Sequence, residues 1–132
     1  IGTASEPYVL SAPFEDNTLT TDPEMFEMMR DQIIAHPDLR LGGPSYIWLR
    51  EALAETDHLA QRAAPNLPAI AFVGSNERIV DVPRIHARME SWKGGQLRTI
   101  EGAEHEVLME GFAIRNPIYD EIANLFLNTT TG

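Results

Sequence analysis

The sequence predicts an α/β chain, with helices packed on a parallel sheet. Three observations carry that expectation. Ala69 to Val73 is a continuous apolar run closed off by Pro68 and Gly74, the pattern of a strand buried on both faces. Gln96 to Ile100 is a second short run of strand type. Between them Ile85, Met89 and Trp92 recur on one helical face, and strand, helix, strand is the order of a parallel crossover unit.

The N-terminal half reads as helical. Residues Ile1 to Asn17, with Pro7 and Pro13, read as mostly irregular. Thr21 and Glu24 match a capping box, and Pro23 fits a first helical turn, where its missing N–H is not needed. Met25, Phe26, Met29 and Ile33 follow at helical spacing, and His36-Pro37 stops the run because the residue before a proline avoids the α region. The expected helix is Pro23 to Ala35. After the breaker Gly42-Gly43-Pro44, Ser45 caps a helix from Tyr46 to about Thr56, with Tyr46, Leu49 and Leu53 on its apolar face. Asp57 is read as the cap of a further short helix to Ala64, ended by Pro65-Asn66-Leu67-Pro68. Beyond the first strand, Asp81 or the turn before it caps the helix that runs to about Trp92, and Gly94-Gly95 closes it. The last helix is expected from Pro117 to Leu127, with proline at its start, and the tail Asn128 to Gly132 is expected to fray.

Composition narrows the function classes. The 132 residues suffice for one domain, and an apolar share of 43% disfavours disordered and fibrous chains. Two strands do not make a stable sheet, so the sheet is expected to belong to a larger one. The chain opens on Ile1 rather than methionine, which we read as a processed, engineered or proteolytic start. No apolar stretch approaches the roughly 18 residues of a transmembrane helix, and no secretory signal is visible. The absence of cysteine excludes disulfides and thiolate metal sites and permits a reducing compartment. Twenty acids against ten Lys and Arg give a net charge of −10. Without a basic stripe, neither nucleic acid nor an anionic membrane surface is an expected partner, and the acidity reads as solubility.

Two side chains stand where chemistry is expected. His105 lies in Gly102-Ala103-Glu104-His105-Glu106, a loop after the second strand. A histidine exchanges protons near neutral pH. A lone loop histidine is ordinarily a surface hydrogen-bonding residue, and it is the place of this one in the α/β pattern that favours a functional role. Glu77, in Gly74-Ser75-Asn76-Glu77-Arg78, falls just past the first strand, where open α/β sheets gather ligands and catalytic groups. A carboxylate there can orient an imidazole and stabilise the imidazolium. Asp81 is the alternative acid, although it also fits a plain N-cap. His36, His58, His86 and His105 show no metal-ligand spacing, so no metal is expected and His86 reads as structural. There is no glycine-rich phosphate loop, and no cofactor is expected. Ser45, in Gly43-Pro44-Ser45-Tyr46-Ile47, comes nearest to a nucleophile turn but lacks the closing glycine and a preceding strand. The cluster Met25, Phe26, Met28, Met29 suits an acyl pocket and suits ordinary core packing at least as well.

A family resemblance emerges from the motifs in order. Phe14-x-x-Asn17-x-Leu19-Thr20-x-Asp22-Pro23 and Leu41-Gly42-Gly43-Pro44-Ser45-x-x-Trp48-Leu49 resemble the cap region of bacterial lysophospholipases and monoacylglycerol lipases. Gly74-Ser75-x-Glu77-Arg78-Ile79-Val80-Asp81 is similar to their acid loop, and Glu104-His105-Glu106-Val107-Leu108-Met109-Glu110 to their histidine loop. The resemblance runs from about Phe14 to Phe126. It implies a partial α/β-hydrolase fold. Residues 1–64 would form a helical cap, and residues 65–132 the C-terminal part of the core with the last strands and helices of a parallel sheet. It implies a serine ester hydrolase with His105 as general base and Glu77 as triad acid. Glu77 stands where the family usually has aspartate, a mild departure because glutamate serves in some α/β-hydrolases. Met25, Met29, Tyr46 and Trp48 are the expected substrate-lining residues.

The same resemblance puts the G-x-S-x-G serine and the oxyanion hole upstream of Ile1. The expected partners are therefore the upstream half of the same protein and a small lipid ester, and the chain alone is expected to be inactive. A cytoplasmic location, at most peripheral to a membrane, is expected. The rival readings are another α/β-hydrolase chemistry, such as a peptidase or epoxide hydrolase, and a non-catalytic lipid- or partner-binding fragment.

Overall fold

A computed structural model describes residues 12–129 of the chain. In chain order the main elements are α1 (Pro23–Ala35), α2 (Tyr46–Ala60), β1 (Ala69–Gly74), α3 (Val82–Glu90), β2 (Gly95–Ile100) and α4 (Phe112–Thr129), with short 3-10 turns at Phe14–Asp16, Pro37–Leu39 and Val107–Met109. The two strands run parallel in the register Ala69 with Gly95 through Gly74 with Ile100. Helix α3 is the crossover and packs on β2, while α4 packs on β1 and on the 107–109 turn. The small core is Phe26, Val73, Ala103 and Ile118. No helix among the described residues is long and apolar enough to cross a membrane.

Helix α1 has the expected bounds but a different cap. The Asp22 carboxylate accepts the Met25 N–H at 3.0 Å, satisfying one of the donors that a helix start leaves free. Thr21 is not the cap, because its hydroxyl is taken by Glu110. The reading of residues 1–11 as irregular lies outside the described residues. Within 12–20, Asn17 organises the chain: its side chain donates to the Phe14 carbonyl at 2.6 Å and accepts from the Leu19 and Thr20 N–H groups at 3.0 and 3.1 Å.

Helix α2 is one element where two were expected. No glycine or proline falls between Tyr46 and Ala60, so nothing interrupts the helix. Ser45 caps it, accepting the Trp48 N–H at 3.1 Å. Asp57 lies inside it and pairs with Arg84 on α3. Arg88 of α3 also donates to the Arg62 carbonyl at 2.8 Å, and the Trp92 indole N–H to the Leu67 carbonyl at 2.9 Å. These bonds lash the end of α2 to the crossover. Helix α3 stops at Glu90, two residues short of the expected end, and Gly94 follows at φ +82°, a backbone state that glycine adopts without penalty.

Strand β1 is not buried along its length. Only Val73 and Gly74 are buried, and residues 69–72 are half-buried. The apolar run anticipates two covered faces, but among the described residues β2 flanks a single edge of β1. The start of α4 also differs from expectation. The Gly111 carbonyl accepts the Ile114 and Arg115 N–H groups at 2.9 and 3.1 Å, so the helix begins at Phe112 and Pro117 falls inside it. An interior proline forfeits one helical hydrogen bond, and here the packing of α4 on β1, with Ile118 buried, outweighs that local preference. The helix also continues through Asn128 and Thr129, where fraying was expected; residues 130–132 lie outside the described residues.

The cap assignment is testable. Asp22→Ala should lower stability by about 1 kcal/mol, whereas exposed Glu24→Ala should stay within about 0.5 kcal/mol, as read by urea denaturation. The reverse order would restore the capping box.

Candidate active site

The site is assembled where β1 and β2 end side by side. Past Gly74 the chain turns, with the Glu77 N–H donating to the Gly74 carbonyl at 3.2 Å. The Glu77 carboxylate then divides its two oxygens. Oε1 accepts the Ile79 and Val80 N–H groups, at 2.5 and 3.1 Å, and so closes its own loop. Oε2 lies 2.6 Å from Nδ1 of His105. The Glu77 side chain is 3% exposed and the imidazole 27%. Burial raises the Glu77 pKa, but the hydrogen bonds from the Ile79 N–H, His105 and the Val80 N–H outweigh it and hold the carboxyl below its ordinary range. An ionised carboxylate only accepts, so Nδ1 carries the proton between them. Nε2 is then the nitrogen left for proton exchange.

The loop bearing His105 lies directly on the end of β1. A Cβ placed on Gly74 would sit 2.2 Å from the Ala103 carbonyl oxygen and 2.3 Å from that of Glu104. Only glycine leaves room for that crossing. Hydrogen bonds then stitch the two turns together. The Asn76 N–H donates to the Ala103 carbonyl at 3.0 Å and its side chain to the Gly102 carbonyl at 3.1 Å, while the Gly102 N–H donates to the Ser75 hydroxyl at 2.8 Å. Arg78 and Glu104, the chain neighbours of Glu77 and His105, pair at 2.7 Å.

Of the expected site residues, the structure brings Glu77 and His105 together. Asp81 is elsewhere engaged, its carboxylate accepting the Arg84 N–H at 3.2 Å as the cap of α3. Met25 and Met29 are half-buried on α1, and Tyr46 and Trp48 are 69% and 60% exposed on α2. A shallow groove along α1 is lined by Met28, Ala35 and His36 together with Glu24, Glu27 and Asp31, and none of the four expected substrate residues lines it. Among the described residues no cluster of three or more His, Asp or Glu is arranged to hold a metal ion. The roles of Gly74, Asn76 and the Arg78–Glu104 pair were not read from the sequence, because each depends on a partner some 26 to 30 positions away.

Comparison with known proteins finds similar chains. No known family profile matches the chain. Lysophospholipase L2 of Escherichia coli, in strains K12 and CFT073, is 32% identical over a 123-residue alignment that covers 86% of this chain and 36% of the relative. A crystal structure of a soluble variant of monoglyceride lipase from Saccharomyces cerevisiae, in complex with a substrate analog, superposes with a TM-score of 0.58 at 16% identity, covering 82% of this chain and 39% of that one. The chain belongs to the family of lysophospholipase L2. Its fold is a partial α/β-hydrolase fold, and it spans about a third of the length of the curated relatives it matches.

Two outcomes are expected of this α/β-hydrolase chain. Gly74→Ala should cost about 3 kcal/mol, the upper end for overpacking, since backbone rather than a flexible side chain stands in the way; a loss under about 0.5 kcal/mol in chemical denaturation would deny the close crossing. Glu77 should also make stability depend on pH. Its folded pKa lies below the 4.5 of an unperturbed glutamate. The stabilisation is therefore complete above about pH 4.5 and lost as pH falls through the lower folded value. Denaturation of the protein and of Glu77→Gln at about pH 6 and about pH 3 should show the gap between them narrowing at the acid end. A gap independent of pH would contradict the bonded, ionised carboxylate.

Proposed function

We propose that this chain supplies the base and the acid of a serine ester hydrolase acting on lipid esters. The observation that carries the reading is the 2.6 Å contact between Nδ1 of His105 and Oε2 of Glu77 at the ends of adjacent parallel strands. The names of its relatives, lysophospholipase and monoglyceride lipase, support the substrate class. Residues 65–132 act as the C-terminal part of the catalytic core and residues 1–64 as a helical cap. The nucleophilic serine, in a G-x-S-x-G turn, comes from an upstream half of the same protein. Met25, Met29, Tyr46 and Trp48 offer apolar surface to the acyl chain. The lack of cysteine suits a cytoplasmic location.

In this reading the serine hydroxyl attacks the ester carbonyl and gives its proton to Nε2 of His105. Glu77 holds the ring in the Nδ1–H tautomer and stabilises the imidazolium as it forms. The tetrahedral intermediate collapses, the ester C–O bond breaks, and the proton passes from Nε2 to the departing alcohol. Water then attacks the acyl-enzyme with His105 again as base, releasing the fatty acid and the free serine. Each proton moves through Nε2, which is why Nδ1 must stay committed to Glu77.

His105→Ala in the full-length protein should abolish ester hydrolysis, and near-normal turnover would remove the triad. Glu77→Gln should lose about 10⁴-fold in kcat, and Asp81→Asn far less. A larger loss at Asp81 would transfer the acid to that position. Intact-mass analysis after a fluorophosphonate probe should find the adduct on a serine outside this chain. A folded chain that neither takes the probe nor accompanies one that does would favour a binding module.

A further inference from the structure

We propose that Glu110 is a positioning residue for His105, acting through the loop that carries the imidazole. The proposal rests on the reading of His105 as the general base. Glu110 is 0% exposed, and burial of a carboxylate is costly unless donors surround it. A carboxylate accepts only, and three donors converge on this one. The Glu104 N–H reaches Oε1 at 2.8 Å, and the Thr21 N–H reaches Oε2 at 3.0 Å, where the Thr21 hydroxyl also donates. The Thr20 hydroxyl has a single proton, given to the Met109 carbonyl at 2.7 Å, so its 3.5 Å approach to Glu110 adds little.

The arrangement brackets the histidine. One oxygen of Glu110 holds Glu104, the residue before it. The other holds Thr21, and the bend just ahead of Thr21 holds His105 and Glu106. The His105 N–H donates to the Thr18 carbonyl at 3.3 Å and the Glu106 N–H to the Leu19 carbonyl at 2.8 Å. The backbone on both sides of His105 is thus referenced to one buried carboxylate. Glu77 fixes the ring, but it cannot fix the Cα from which the ring hangs. Glu110 does so through the backbone on either side.

The test compares Glu110→Gln, Thr21→Val and His105→Ala in the full-length protein. The readouts are kcat, KM and the pH–rate profile for ester hydrolysis, with a thermal midpoint for each variant. Glutamine keeps the shape of Glu110 but turns an NH₂ toward groups that are themselves donors. Because a misplacement of about 1 Å costs up to about 100-fold, Glu110→Gln should lose about ten- to hundred-fold in kcat. Its KM should stay within about two-fold, since the side chain is sealed from solvent, and the basic group in its pH–rate profile should move. Thr21→Val should shift the same quantities less far in the same direction.

Wild-type kcat and pH profile in both variants, with His105→Ala inactive, would overturn the positioning role and leave the general base in place. An active His105→Ala would remove the general base and this proposal together. A fall in kcat that tracks the thermal midpoint with an unmoved pH profile would make Glu110 a structural residue and also overturn it. Should Glu110→Gln fail to fold, Thr21→Val decides on the same criteria.

Discussion

The backbone crossing at Gly74 is the constraint on which the site depends. The Ala103 and Glu104 carbonyls lie where a side chain on Gly74 would be, so the end of β1 and the histidine loop share one surface. Neither can shift without the other. The hydrogen bonds between residues 75–76 and 102–103 run in both directions, which removes sliding as well as separation. The acid and the imidazole therefore meet because their backbones are already in register, and the short Nδ1–Oε2 contact reports that order rather than creating it.

Beside this crossing, two side-chain pairs bridge the same loops: Glu77 with His105, and Arg78 with Glu104. They differ in kind. Arg78 is 57% exposed, and an ion pair with so exposed a partner adds little stability. The Glu77 carboxylate is nearly sealed and is held by backbone N–H groups as well as by the imidazole, so its position is fixed by its own loop as well as by the ring. Helix α4 closes the assembly from below, through its packing on β1 and on the turn that precedes Glu110.

The features legible in the sequence were local. The apolar run at Ala69 to Val73, the caps Ser45 and Asp81 and the stop at His36-Pro37 all rest on near-neighbour chemistry, and the structure has each of them. Glu77 and His105 stood out because each follows a strand, and an α/β pattern makes such positions meaningful before any contact is known. The misreadings arose where tertiary contacts override local preference. Pro117 looks like a helix start and lies within α4; Thr21 looks like a cap and serves Glu110. Glu110 itself closes the stretch that resembles the histidine loop, but nothing in that stretch points to its Thr21 partner, 89 positions away. No window of sequence contains that relation.

The parallel register acts as a ruler for the pair. Gly74 is opposite Ile100, and the acid and the histidine are each counted off from that rung. A slip of two residues would carry His105 about 6.6 Å along the sheet, beyond the reach of any hydrogen bond to Glu77. The α3 connection does not enter that count, but its length is fixed too: α3 packs on β2, and its Arg84 and Arg88 hold Asp57 and the Arg62 carbonyl. An inserted residue inside α3 would turn its later side chains by about 100° away from those partners, and a single inserted residue in either strand would break the register. Length variation in descendants of this chain should therefore avoid the two strands and the crossover helix alike.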